Sequence, residues 1–135
     1  MNTQLLVPIS LGELIDKITI LQIKLDRIQD QNKLVNINKE LTELDTILDK
    51  LNLIGKQITV LTTQLRTVNE ELWDIENYKR QCEHDQTFND NFINAARQVY
   101  IKNDRRAAIK REINMLTGSD IIEEKSYYDI NTANY

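Results

Sequence analysis

Four times along this chain, apolar residues return at alternating intervals of three and four. The first series is Leu11, Leu14, Ile18, Leu21, Leu25 and Ile28, and the second is Leu34, Ile37, Leu41, Leu44, Leu48 and Leu51. The third is Ile58, Leu61, Leu65, Val68, Leu72 and Ile75, and the fourth runs Phe92, Ala95, Val99, Lys102, Arg106, Ile109, Ile113 and Leu116. This spacing puts each series on one stripe of an α-helix, and each stripe must be buried against another helix. Only three glycines and one proline are available to interrupt the pattern, so long helices joined by short turns are expected. The fold class is therefore all-α: a four-helix up-down bundle, or helical hairpins, with an N-terminal arm and a C-terminal tail. Residues 1–9 form the arm, 10–118 the helices and 119–135 the tail of a single domain.

Local signals place the boundaries. Ser10 and Glu13 form a capping box for the first helix, which is expected to end between residues 29 and 31. Ile15, Ile20 and Ile23 widen its stripe, so burial on more than one side is expected. The second helix runs from about residue 32 to 53. Its stripe, continued through Leu51, would reach Gly55 and not Ile54 or Ile58. The phase breaks at a residue that favours helix ends. A reversal there would make the second and third helices an antiparallel hairpin; one continuous helix is the alternative. The third helix fades at residues 82–85. Thr87 or Asp85 is the candidate cap of the fourth, with Phe88 plugging the loop, and Gly118 closes it. Pro8 bars the arm from an inner sheet position, leaving an extended arm or an edge strand. Ile121-Ile122 and Tyr127-Tyr128 are available to dock on the bundle or on the arm, and residues 129–135 are expected to be loose.

Composition excludes several function classes. A net charge of -4 and a pI near 5.0 argue against a nucleic-acid partner, which calls for a basic surplus. One cysteine, Cys82, rules out an internal disulfide and fits a reducing compartment. No apolar run approaches the ~20 residues of a membrane helix, and residues 1–10 lack the basic start of a signal peptide. A cytoplasmic protein with no membrane partner is expected. With so few glycines there is no phosphate-binding loop or dinucleotide fold, and no cofactor is expected.

The fourth helix is the expected organising element, because its stripe turns cationic at Lys102 and Arg106. Arg97, Tyr100, Asn103, Arg105 and Lys110 join them as candidate anion-binding residues. Lys102, Arg106 and Lys110 are successive turns of one face, and arginine forks suit phosphates and carboxylates. The competing reading pairs these cations with the acidic stretch of the third helix, Glu70, Glu71, Asp74 and Glu76. Those acids, with Glu123 and Glu124 of the tail, are the candidate acidic partners or metal ligands. Glu70-Glu71-x-x-Asp74 resembles the first half of the carboxylate signature of all-helical nucleotide pyrophosphohydrolases, but the downstream second half is missing. Glu13 and Asp16 have its spacing but precede it. Cys82, Glu83, His84 and Asp85 adjoin, yet zinc ligands come in spaced pairs, so no metal and no catalytic residue is assigned. Trp73 and Tyr78 read as packing residues.

Several segments, in order, look familiar: Pro8-Ile9-Ser10-x-Gly12-Glu13-Leu14-Ile15-Asp16-Lys17-Ile18-Thr19-Ile20-Leu21, Leu72-Trp73-Asp74-Ile75-Glu76, Ala96-Arg97-x-Val99-Tyr100, Asn103-Asp104-Arg105-Arg106-Ala107-x-Ile109-Lys110 and Glu123-Glu124-Lys125-Ser126-Tyr127. Together they resemble an uncharacterised family of short helical proteins from bacteria and phages. The sequence departs from that family's pattern at Asn77, where an aspartate is common. The resemblance implies no established activity beyond an association with glycan metabolism. It does direct attention to the fourth helix and the tail as one site.

The expected function is a non-enzymatic helical interaction or assembly module, acting as a homodimer or with a protein partner. The alternative is a binding protein or enzyme for an anionic small molecule, a phosphorylated sugar or nucleotide, held on the fourth helix. The pairing of Arg106 discriminates between them.

Overall fold

The computed structural model describes residues 3–127. It contains α1 (Leu11–Arg27), α2 (Gln31–Lys50), α3 (Lys56–Asp85) and α4 (Asp90–Thr117), and no strand among the described residues. The fold is all-α, as the stripes require. Ser10 Oγ accepts from the Glu13 amide at 3.1 Å, completing half of the capping box. The other half is not made, because the Glu13 carboxylate is taken by Lys110. Asp30 caps α2 through the amides of Asn32 and Lys33. Asn89, and not Thr87 or Asp85, caps α4, accepting from the Phe92 amide. The start moves because α3 continues to Asp85 and is closed by Gln86 in the left-handed conformation, which leaves Thr87 in the turn. Phe88 does not plug this loop. It is half exposed and meets Phe92 edge-on, ring centroids 5.2 Å apart.

The chain reverses at each connection. Asp16 meets Asn69 and Arg27 meets Asp74, so α1 and α3 run in the same direction. Gly12 meets Asn114 and Asp16 meets Arg106, so α4 runs against both.

The organising element is α1, not α4. It packs on each of the other three helices, whereas α2 packs along α1. Leu14, Ile18 and Leu21 form one core with Ile37 and Leu41 of α2. Ile15 forms a second core with Leu61, Leu65 and Val68 of α3 and Ile109 and Ile113 of α4. A helix apolar on two sides can be buried on two sides, and only α1 has that sequence.

The expected hairpin of the second and third helices is therefore replaced by two flanks on a shared centre. The break at Gly55 is present, with the glycine at φ 152°, a backbone conformation closed to most side chains. The chain does reverse there, as expected, but α3 packs on α1 and α4 and not on α2. Leu51, counted in the second stripe, lies beyond the end of α2 and is exposed.

The α1–α4 crossing is unusually close. A Cβ on Gly12 would lie 2.6 Å from the Lys110 carbonyl oxygen and 2.9 Å from Asn114 Oδ1. The first turn of a helix leaves its amides without intrahelical partners, and here the neighbour supplies them. Asn114 Oδ1 accepts from the Gly12 amide at 2.6 Å and Ser119 Oγ from the Leu11 amide at 3.4 Å. The buried face of α4 consequently includes Lys110 and Asn114, while Leu116 of the expected stripe is exposed. Residues 3–9 form an arm without regular structure, and no edge strand. Tyr128 and residues 129–135 lie outside the described residues.

Candidate functional site

The most unusual local chemistry lies where α1, α3 and α4 meet. Asp16 sits on the buried face of α1 between Ile15 and Ile18 and is 0% exposed. A carboxylate in that position must be paired and hydrogen-bonded. Arg106 of α4 supplies a two-pronged partner, with Nε 3.0 Å from Oδ1 and Nη2 on Oδ2. Asn69 Nδ2 of α3 donates to the same Oδ1 at 2.9 Å and to Thr19 Oγ1 at 3.0 Å. Thr19 Oγ1 in turn donates to the Asp16 carbonyl at 2.8 Å. The hydrogen bonds from Arg106 to Asp16 hold its guanidinium more firmly protonated than usual, and the charges of Asp16, Glu13 and Glu123 add to this against the opposing effect of burial.

One turn along α4, Lys110 is buried and Nζ lies 2.6 Å from Glu13 Oε2. Asp16 at 3.8 Å and Glu123 of the tail at 3.6 Å complete its surroundings. Lys102, one turn the other way, pairs with Glu71 of α3. Arg111 reaches Glu124 at 2.9 Å. The cationic face thus lies against carboxylates from α1, α3 and the tail.

The remaining candidates fall elsewhere. Arg97, Tyr100 and Arg105 are exposed on α4, and the two arginines make no ion pair among the described residues. Glu70 and Asp74 do not meet the α4 cations. They face Arg27 of α1, and Glu70 also meets Arg66 at 3.1 Å. Of the expected pairing between the fourth and third helices, only Lys102 with Glu71 is made, because α1 inserts its own acids Glu13 and Asp16 between the rest. Glu76 meets Lys79 at 3.5 Å. No group of three or more His, Cys, Asp or Glu residues that could hold a metal ion occurs among the described residues.

Sequence reasoning missed Asp16, Thr19, Asn69 and Asn114. The signal for Asp16 was the same as for Arg106, a charge within an apolar stripe. Glu13 and Asp16, three apart, also complement Arg106 and Lys110, four apart, on an antiparallel neighbour.

Beside the network an open cleft of about 410 Å³ separates α3 and α4 over α1. Ile20, Ile23 and Leu72 give it an apolar floor, and Trp73, Asn103 and Arg106 line it. Arg106 spends Nε and Nη2 on Asp16, so only one edge of its guanidinium remains for anything in the cleft. Asp16 accepts three hydrogen bonds, two on Oδ1 and one on Oδ2, all from protein donors.

These features define a class: an all-α protein of four helices organised on a central helix with a buried carboxylate–guanidinium pair. The chain belongs to a family of unknown function (DUF6165), whose model matches residues 5–134. It matches no curated protein and no solved structure. No helix among the described residues is long and apolar enough to cross a membrane.

Proposed function

We propose that this protein is a non-enzymatic helical interaction module. The observation that carries this reading is the pairing of Arg106 with Asp16, from inside the bundle. With Lys110 held by Glu13 and Lys102 by Glu71, the three cations that share one face of α4 already have anions, while Arg97 and Arg105, unpaired among the described residues, do not line the cleft. The bundle also leaves apolar side chains open: Leu5, Leu6, Val7, Val60, Met115 and Leu116 are exposed. Exposed apolar side chains that gather on one surface mark protein–protein contact.

Thermal-shift measurements with phosphate, sugar phosphates, nucleoside phosphates and divalent cations test this reading. The melting temperature is expected to hold with all of them. A rise with one anion that disappears in Asn103→Ala would overturn the module in favour of a ligand site. Asn103 is the informative position because it lines the cleft without supporting the core; Arg106→Ala would strand Asp16 and lower stability by itself.

The second reading, an anionic small-molecule site, is supported by the cleft. Trp73, Asn103 and the free edge of Arg106 converge on it over an apolar floor, the usual make-up of a ligand pocket. Trp73 is the only tryptophan in the chain, so its fluorescence reports on occupancy in the same titrations.

A further inference from the structure

Two apolar surfaces have nothing packed on them among the described residues. The first is the arm before α1, where Leu5, Leu6 and Val7 are 79%, 92% and 68% exposed. Pro8 lacks an amide hydrogen and holds Val7 extended, so the segment cannot hide these side chains by joining α1. Gln4 Nε2 donates to Glu43 Oε2 at 3.1 Å, which directs the arm over α2. The second is a groove of about 880 Å³ between the start of α3 and the end of α4. Leu61 is buried at its base, and Val60, Ala108, Met115 and Leu116 form its sides. In the core α1 lies between α2 and this pair of helices, so an arm lying on α2 is on the far side of its own groove.

We propose that this groove receives the arm of a second copy of the chain, with the arms exchanged reciprocally about a two-fold axis. The inference rests on the interaction-module reading and narrows its partner to the protein itself. Length permits the exchange. Residues 3–9, extended, span roughly 23 Å, whereas the α3 side of the groove, residues 56–64, rises about 12 Å. Alternation along an extended chain puts Leu5, Val7 and Ile9 on one side, an apolar row for an apolar slot. Polarity permits it too. Residues 3–9 carry no charge, so they repel neither Lys56 and Arg111 nor Glu112, which also line the groove; Arg111 is held by Glu124. Position makes it reciprocal. The arm leaves the bundle at Ser10, beside Ser119 and Asn114 at the end of α4, and the groove lies at that same end. Two molecules apposed there present arm to groove twice, which closes the assembly as a dimer.

Sedimentation equilibrium of the full chain over a range of concentrations tests this. The expected result is a reversible dimer that Val7→Asp in the arm, or Met115→Glu in the groove, weakens by about tenfold or more, since each buries a charge in the contact. Both positions are exposed in the single chain, so both variants should keep the melting temperature of the parent. Mixing the two variants is the sharper test. Neither alone has an intact arm-and-groove pair, but the mixture has one, so heterodimers should form where each homodimer fails. A dimer that survives both substitutions would overturn the exchange while leaving the module reading intact. A monomer at every concentration would overturn it as well, as would a Val7→Cys, Val60→Cys chain that cross-links within itself. The module reading fails separately, through the anion titrations.

Discussion

Asp16 places a carboxylate where water does not reach, and an isolated charge there would cost several kcal/mol. Arg106 and Asn69 offset this, so the pair matters far more when one half is removed than when both are. Asp16→Leu alone should lower the unfolding free energy by about 3–5 kcal/mol, because it leaves the guanidinium unpaired beside the core. Asp16→Leu combined with Arg106→Met should recover most of that loss, to within about 1 kcal/mol of the parent, since apolar residues of similar size can replace a buried pair. Urea midpoints of the parent, the two single variants and the double variant give the comparison. A double variant as unstable as the worse single one would mean that the site depends on shape and not on charge. At this scale the sequence showed half of the arrangement. A cation in an apolar stripe announces that it needs an anion, and Arg106 was legible on that ground. Which anion it finds depends on helix order, and Asp16 lies ninety positions away in the chain.

Helices were legible because each stripe repeats with the helical period, and that signal does not depend on neighbours. Their arrangement was less so. A stripe says that a helix is buried, not what buries it, and two helices joined by a short turn need not be the two that pack. The excess of isoleucine on α1 pointed to burial on two sides, and taken one step further it places α1 between α2 and the α3–α4 pair. The displaced face of α4 has a comparable cause. Gly12 lets α4 approach α1 at Lys110 and Asn114, which rotates burial off Leu116. Gly12→Ala therefore pits two effects against each other. In a free helix alanine would gain about 1 kcal/mol over glycine. Here the added methyl meets backbone at 2.6 Å, and overpacking of this kind costs about 1–3 kcal/mol. A lower melting temperature is expected, with faster exchange of the Gly12 amide as its bond to Asn114 is pushed apart. A higher melting temperature would show that α4 moves away freely and that the close crossing does not hold the bundle.

Across the whole molecule burial is uneven along the long axis. α1 has 17 residues, whereas α3 has 30 and α4 has 28, so the α3–α4 hairpin runs on past the end of the central helix. Along α3 after Asn69 the only buried residue is Cys82, and along α4 before Ile109 it is Ala95. The salt links thin out as well. Arg27 at the end of α1 reaches Asp74, level with Lys102 on Glu71; beyond it Lys79 and Glu76 pair only within α3, and the hairpin relies on half-buried apolar side chains. A segment with few buried contacts opens at a lower free energy than the core does. Hydrogen exchange should therefore divide α3 and α4 by position and not by helix. Amides of residues 61–69 and 109–114, together with those of α1 from Leu14 to Ile23, should exchange only through global unfolding and share one protection free energy. Amides of residues 76–98 should exchange through local opening of the hairpin tip, with weaker dependence on denaturant because less surface is exposed. The Cys82 thiol, buried at that tip, gives an independent reading: its labelling rate should follow the tip amides and exceed the global unfolding rate. Uniform protection along both helices would mean that the tip is held by something other than the packing between α3 and α4.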